Sequence, residues 1–127
     1  LDLVGAAVLV KSVSKQHMLS DKTLRFEFDD RVTKPFVLHY LRSKKGRLEI
    51  QKYSSGNQES MRNIGQKGIR QIEFPLPSPE EQHRIVQEIE SRLSVCDAME
   101  ATLQTSLAQA EVLRQSILKR AFEGRLG

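Results

Sequence analysis

The stretch that decides the fold begins Pro75-Leu76-Pro77-Ser78-Pro79-Glu80-Glu81-Gln82 and runs to Ala121-Phe122-Glu123-Gly124. It predicts one long helix, because it carries sequence signals for both the start and the end of a helix. Ser78 suits the N-cap, Pro79 suits the first helical position, and Glu81 follows Ser78 by three residues, as a capping box requires. No Gly or Pro interrupts the stretch before Gly124, which suits the left-handed residue that closes a helix. The helix would span about 45 residues, or about 65–70 Å at 1.5 Å per residue.

Apolar residues recur along this helix in steps of three or four, with the mean step of 3.5 that is typical of a coiled coil. The series is Val86, Ile89, Leu93, Cys96, Met99, Leu103, Leu107, Ala110, Leu113, Ile117 and Ala121. The candidate contacts with a partner helix are Ile89, Leu93, Met99, Leu103, Leu107, Leu113 and Ile117. Because globular helices usually have about 8–20 residues, a coiled-coil arm is favoured over a core helix of an ordinary domain.

The residues before the arm predict a small α+β domain of mixed strands and helices, so we divide the chain into domains 1–77 and 78–127. Alternation and β-branched content predict strands at residues 6–13, 23–28 and 71–75, the second with Leu24, Phe26 and Phe28 on its core face. Helical spacing predicts a helix at residues 34–43 and a break at residues 44–47. Residues 48–53 allow a helix or a strand, with the helix favoured, and residues 54–60 predict a loop because none is apolar.

The positive charge belongs to the first domain. Residues 1–78 contain 14 Lys and Arg against eight Asp and Glu, whereas residues 79–127 contain six against eight. This asymmetry is typical of a module that contacts a polyanion while its arm contacts protein. A basic solvated surface without a ligand is the alternative, and charge alone does not decide between the two.

Side chains suited to nucleic acid cluster around one bend and the polar loop that follows it. Lys and Arg contact phosphates, and Asn, Gln and Arg can bond base edges in pairs. The candidate DNA-binding residues are Lys44, Lys45, Arg47, Lys52, Asn57, Gln58, Arg62, Lys67 and Arg70. An ordinary solvated loop is the alternative for each of them.

The residues for covalent chemistry are missing from the sequence. His17, His39 and His83 are scattered without metal-ligand spacing, so we expect neither metal nor cofactor. A metal-dependent nuclease needs a lysine two residues after its glutamate, but Glu49 is followed by glutamine there and Lys52 comes one residue too late. No phosphate-binding glycine loop and no box for holding a flipped base is present. The sequence therefore predicts a binding protein and not an enzyme.

The single cysteine, Cys96, cannot form an internal disulfide, which fits a reducing compartment. No apolar run approaches the roughly 18–20 residues that span a bilayer, so we expect a cytoplasmic protein. The chain opens on Leu1 and not on Met, as though in the middle of a domain, and this favours a fragment of a longer protein.

Two segments of the sequence resemble the specificity subunit of type I restriction-modification enzymes. They are the start, from Pro75 through Glu81-Gln82 to Val86, and the tail Ile117-Leu118-Lys119-Arg120-Ala121-Phe122-Glu123-Gly124-Arg125-Leu126. Both stand in the family's order at a helix-length separation, so the resemblance is specific over residues 56–127. Residues 3–7 and 35–41 resemble the latter part of a target recognition domain less specifically.

The resemblance implies a subunit with two target recognition domains, each reading half of a bipartite DNA target. Between them the family has two antiparallel helices that dock the methyltransferase subunits and, through these, the restriction subunit. This chain is too short for that whole and matches the C-terminal portion. We therefore expect a non-catalytic DNA-specificity fragment whose free arm can pair with a second copy. The alternative is a coiled-coil dimerisation or assembly module that does not read DNA.

Overall fold

A computed structural model of the chain describes residues 4–15, 18–20, 22–56 and 63–124. The regular secondary structure of these residues is helical. Its helices are α1 (Lys34–Arg42), α2 (Lys44–Lys52), the single turn α3 (Gln66–Ile69) and the long α4 (Pro79–Phe122). Two compact units result, Leu1–Gln87 and Glu88–Gly127, so the first turns of α4 belong to the first unit. Within the described ranges, no helix combines the length and the apolar character that crossing a membrane demands.

Ser43 ends α1 and begins α2. Its extended backbone stops α1, while its N–H donates to the carbonyls of His39 and Tyr40, both at 3.0 Å. Its hydroxyl oxygen then accepts from the N–H of Gly46 at 3.1 Å, which satisfies an otherwise unpaired donor in the first turn of α2. The helix predicted at residues 34–43 and the helix favoured at residues 48–53 are confirmed. The predicted break at residues 44–47 is wrong, because these residues form the first turn of α2 and the break is confined to Ser43.

The core of the first unit lies where α2 meets the segments before and after it. Val4, Ile50 and Ile64 are buried together. The partly buried residues packed against them are Leu41, Tyr53, Ile69 and Ile72. Gly5 permits this packing, since its φ is +70° and a Cβ there would approach two carbons of Ile50 to 2.7 Å. The small core is thus built from one face of α2 and the isoleucines of residues 64–72.

The predicted α+β fold class is wrong. Residues 6–13, 23–28 and 71–75 contain no strand, and the one β-bridge among the described residues joins Ser55 to Asn63. Residues 6–13 also contribute little to the core, since Val8 is 78% exposed and Val10 is 64% exposed. Alternation indicates an extended backbone, but a strand also needs a neighbour to hydrogen-bond with. Among the described residues, no segment forms a β-ladder with any of these three.

The helix α4 begins and ends where the sequence predicts. Ser78 Oγ accepts from the N–H of Glu81 at 3.3 Å, and Gly124 closes the helix with φ +68°. The second half of the capping box does not form, because the carboxylate of Glu81 bonds Arg84 Nε at 3.1 Å. The division into domains 1–77 and 78–127 stays a prediction, and the compact units divide after Gln87, nearly three helical turns later.

Candidate nucleic-acid interface

The first turn of α2 carries Lys44 and Lys45, both exposed. It contains no acidic residue, and the free N–H groups of a helix start add partial positive charge to that of the two lysines. Lys44 and Lys45, two of the predicted DNA-binding residues, therefore form a positive patch at one end of α2. Lys52, at the other end, lies about 12 Å away along the helix axis.

Arg47 is engaged by the chain itself. It is half-buried, and its Nη1 donates to the carbonyl of Val4 at 2.6 Å. Arg42 Nη2 likewise donates to the carbonyl of Ala7 at 3.0 Å. The two guanidinium groups fix residues 4–7 against α1 and α2, so the structure gives Arg47 a structural contact that the sequence does not reveal.

Lys52 lies beside the side chains that follow it at the end of α2. Its Nζ is 4.9 Å from the centroid of the Tyr53 ring and 3.9 Å from a carboxylate oxygen of Glu49. Hydrogen bonding to Tyr53, followed by the charge of Glu49, raises the pKa of Lys52 above its ordinary value. The ammonium is therefore held in its charged form near the ring.

The short helix α3 brings Lys67 towards this end of α2. Gly68 packs so closely on Tyr53 that a Cβ at Gly68 would lie 2.9 Å from the Tyr53 carbonyl oxygen. Lys67 and Arg70 are exposed on α3 and on the residue that ends it. The structure thus places Lys52, Lys67 and Arg70 in neighbouring elements, and Lys44 and Lys45 at the far end of α2.

The remaining predicted residues, Asn57, Gln58 and Arg62, lie outside the described residues. The residues on either side of that segment are joined, since Ser55 and Asn63 exchange two backbone hydrogen bonds of 2.9 Å each.

A buried amide at the start of α4 fixes the turn before α1. The side chain of Gln82 has no solvent exposure. Its Oε1 accepts from the N–H of Thr33 at 2.8 Å and from the Thr33 hydroxyl at 3.1 Å. Its Nε2 donates to the carbonyls of Arg31 at 2.7 Å and Pro77 at 2.8 Å. All four bonds that the amide can make are formed, so its burial carries no desolvation penalty from an unpaired group.

The sequence predicts a turn at residues 29–31, but sequence reasoning missed Gln82 as the residue that fixes it. The available signal was position: Gln82 precedes Val86 by four residues and therefore shares its helix face. Both side chains are buried in the structure. A polar residue on the buried face of a helix indicates a hydrogen-bond network, because such a group is otherwise costly to bury.

The predicted coiled-coil face is exposed along most of α4. Ile89 is half-buried, and Leu107 is 71% exposed. The other predicted contacts, Leu93, Met99, Leu103, Leu113 and Ile117, are between 48% and 63% exposed. Among the described residues of the second unit, no side chain covers this face. Its role in binding a partner helix stays a prediction.

No group of three or more His, Cys, Asp or Glu in the described part of the chain is arranged to hold a metal ion. The ring of His83 bonds the Pro79 carbonyl at 2.7 Å, and Glu49 faces Lys52. His17 lies outside the described residues.

Comparison with known proteins gives a family for both parts of the chain. The family model for the type I restriction modification DNA specificity domain matches residues 6–109. The type I restriction enzyme EcoKI specificity subunit of Escherichia coli (strain K12) is 32% identical over 137 residues, which cover 99% of this chain and 27% of that subunit. The StySPI specificity subunit of Salmonella potsdam is 28% identical over 126 residues, which cover 98% and 27%.

A third relative, the EcoDI specificity subunit of Escherichia coli, is 40% identical over 63 residues, which cover 50% of this chain and 14% of that subunit. No solved structure matches the chain. The chain spans 14–27% of the length of these three relatives. Since the family model extends from the first extended segment into the middle of α4, the chain belongs to the type I restriction modification DNA specificity domain family.

Proposed function

We propose that the chain is a non-catalytic DNA-recognition part of a type I specificity subunit. In this proposal residues 1–77 contact duplex DNA, and residues 78–127 space the recognition domains and dock methyltransferase subunits. The observation that carries the proposal is the family match over residues 6–109, which covers most of the basic unit and the first 31 of the 44 residues of α4. The relatives' names support it, because each is a specificity subunit of a type I restriction enzyme.

The charge of the first unit supports the DNA contact. Lys44, Lys45, Lys67 and Arg70 are exposed, and no ion pair with an acidic side chain holds them among the described residues. Cations of this kind bind phosphates by releasing counterions from DNA, so their affinity falls steeply with salt. Lys52 remains a weaker candidate, since it already has Glu49 as a neighbour.

The middle of α4 supports the docking role. Residues 101–110 contain no charged side chain on any face of the helix. The hydroxyls of Thr102 and Thr105 are also turned inward, each donating at 3.0 Å to the carbonyl four residues earlier. A helix segment without charged side chains can be covered on more than one side without burying an unpaired charge, which would be costly. One partner helix covers one face, and docked subunits would cover another.

The charge pattern along α4 favours an antiparallel partner. Residues 79–100 contain six acidic and two basic side chains, whereas residues 111–127 contain two acidic and four basic ones. Two antiparallel copies would place each acidic half beside a basic half, and two parallel copies would place like charges together. A second copy of the chain is therefore the partner that we propose for an isolated sample.

Fluorescence anisotropy with a labelled duplex of random sequence tests the DNA contact. We expect the chain to bind, with an affinity that falls linearly on a logarithmic salt axis. The double variant Lys67→Ala, Arg70→Ala should lower the affinity and flatten the salt dependence by about two phosphate contacts. The matched control is Lys119→Ala, Arg120→Ala, which removes the same charge from the end of α4. Equal losses in the two variants would count against the DNA-binding role of the first unit.

An assembly module that does not read DNA is the second candidate, favoured by the exposed apolar face of α4. The same titration separates the two functions. A chain that self-associates in sedimentation but shows no salt-dependent binding to duplex DNA would establish the assembly module and reject DNA recognition by this chain.

A further inference from the structure

Arg31 lies in the turn at residues 29–33, whose backbone is held in place by hydrogen bonds. The N–H of Val32 donates to the carbonyl of Asp29 at 3.2 Å, which closes the turn. The carbonyl of Arg31 and the N–H of Thr33 both bond the fully buried side chain of Gln82, at 2.7 and 2.8 Å. A loop held in this way by a rigid element is a common position for residues that bind a ligand.

The side chain of Arg31 is fixed as well, although it is 78% exposed. Asp29 Oδ2 accepts from Arg31 Nε at 3.1 Å and from Nη2 at 2.7 Å. Asp29 Oδ1 accepts from the Arg31 backbone N–H at 3.0 Å. These hydrogen bonds from Arg31 lower the pKa of Asp29, so its carboxylate stays ionised and paired at neutral pH.

The contacts with Asp29 leave one edge of the guanidinium group open. The carboxylate of Asp29 accepts hydrogen bonds from the Nε–H and from one N–H of Nη2 of Arg31. The remaining donors, on Nη1 and Nη2, form a planar end-on fork, and no other described residue bonds this group. Such a fork matches two phosphate oxygens, or O6 and N7 of guanine, through two parallel hydrogen bonds.

We propose that Arg31 is a DNA-contact residue whose end-on fork binds a pair of acceptors on duplex DNA, with Asp29 and Gln82 as positioning residues. The inference rests on the proposed function and adds a contact outside the residues predicted from the sequence. Because Asp29 already restricts the rotamers of Arg31, binding would cost less conformational entropy than it does for a free surface arginine.

Arg25 provides a matched control on a nearby segment. Its side chain is 76% exposed, and it pairs with Glu27 through one contact of 3.0 Å. No hydrogen bond to a buried side chain is found in the described segment 22–28. Arg25→Ala therefore removes the same charge as Arg31→Ala without touching the turn that Gln82 holds.

The test compares the chain with Arg31→Ala, Arg31→Lys, Asp29→Asn and Arg25→Ala by anisotropy on the tightest duplex selected from a random-sequence pool. We expect Arg31→Ala to weaken binding by about 5- to 100-fold and Arg25→Ala by less than about threefold. Asp29→Asn should weaken binding although it removes a negative charge, because the fork is no longer held. Circular dichroism spectra that match the parent chain would show that each variant is folded.

Selection repeated with Arg31→Lys identifies the acceptor pair. Loss of a preferred guanine at one position would indicate the base edge, and uniform weakening without a change in preferred sequence would indicate phosphate. Equal effects of Arg31→Ala and Arg25→Ala, or tighter binding by Asp29→Asn, would overturn the role of Arg31 while leaving the proposed function intact. Failure of the parent chain to bind any duplex would overturn both.

Discussion

At the scale of single residues, Gln82 shows why an amide is required at the start of α4. Its two donors face carbonyl oxygens and its acceptor faces two donors of Thr33. A carboxylate would have no donors for the carbonyls, and an apolar side chain would leave every one of these groups unpaired. Because an unpaired buried polar group costs about 1–3 kcal/mol, the choice of residue is tightly restricted.

Substitution of Gln82 should therefore be costly. We expect Gln82→Leu to lower the free energy of unfolding by about 2–4 kcal/mol. The exposed Gln87, one turn further along α4, is the matched control, and Gln87→Leu should change it by less than about 0.5 kcal/mol. Urea unfolding measures both, and similar losses in the two variants would contradict the assignment.

The variant Gln82→Glu adds a pH dependence that a purely steric effect would not show. Its carboxylate would face the carbonyls of Arg31 and Pro77, so the folded state raises its pKa above the unfolded value. A raised pKa of an acid means that protonation favours folding, and the variant should lose stability as pH rises. We expect its destabilisation, relative to the parent chain in urea, to be smaller at acidic than at alkaline pH. A deficit that does not change with pH would speak against this environment.

Gly46, where α1 and α2 meet, is a second position at which a larger residue does not fit. A Cβ there would overlap the carbonyl oxygen of Tyr40 and lie 2.9 Å from the Cα of Leu41. Both are backbone atoms, which cannot move aside as a side chain can. We expect Gly46→Ala to destabilise the first unit by about 1–3 kcal/mol in thermal or urea unfolding. Gly65→Ala is the control, because its Cβ would meet nothing within 4 Å, and it should be close to neutral.

At the scale of elements, the bounds of two helices could be predicted from the sequence and strands could not. The bounds of α1 and α4 follow from local signals, namely proline at a helix start, a serine cap and a closing glycine, whereas α2 begins four residues before the predicted segment 48–53 and α3 was not predicted. Residues 6–13 and 23–28 have the right alternation, yet a strand depends on a second segment that the local pattern does not contain. The Arg42 and Arg47 contacts with residues 4–7 show that side chains, and not a ladder, hold one of these extended segments.

The exposed face of α4 gives the prediction at this scale. If two copies pair along it, the double variant Leu103→Glu, Leu107→Glu places charges in the seam. We expect it to raise the dissociation constant of the pair at least about tenfold, equivalent to roughly 1.4 kcal/mol, by sedimentation equilibrium. Gln109→Glu adds a charge to the opposite side of the same turns and should leave the mass distribution nearly unchanged. A parent chain that is monomeric at high micromolar concentration would reject pairing altogether.

At the scale of the whole molecule, the two units depend on different sources of stability. The first has a small buried core around Ile50, whereas the second consists of helix with almost every residue exposed. An isolated helix of this kind gains little from its own contacts, so we expect association to contribute much of its stability. Thermal unfolding followed by far-ultraviolet circular dichroism should thus shift to higher temperature with protein concentration. A midpoint independent of concentration would contradict this dependence.

The candidate site could be predicted only in its charged part. Lys44, Lys45, Lys67 and Arg70 could be proposed because cation clusters are visible in the order of residues, and the structure exposes them. Their contact with DNA stays a prediction. Arg31 was not found, because its surroundings come from Gln82, which is 51 positions away along the chain. The tertiary fold decides which residue holds a loop in place, and the composition of the chain does not reveal that residue.

Three of the four bonds of Gln82 end on main-chain atoms, which every amino acid supplies. The side chains at positions 31 and 77 can therefore be exchanged without loss of the anchor, and position 33 excludes only proline from the backbone bond. The backbone of the turn at residues 29–33 is therefore held whatever side chains it exposes at positions 31 and 77. Substitutions at these two positions can change what the turn contacts without changing how it is fixed.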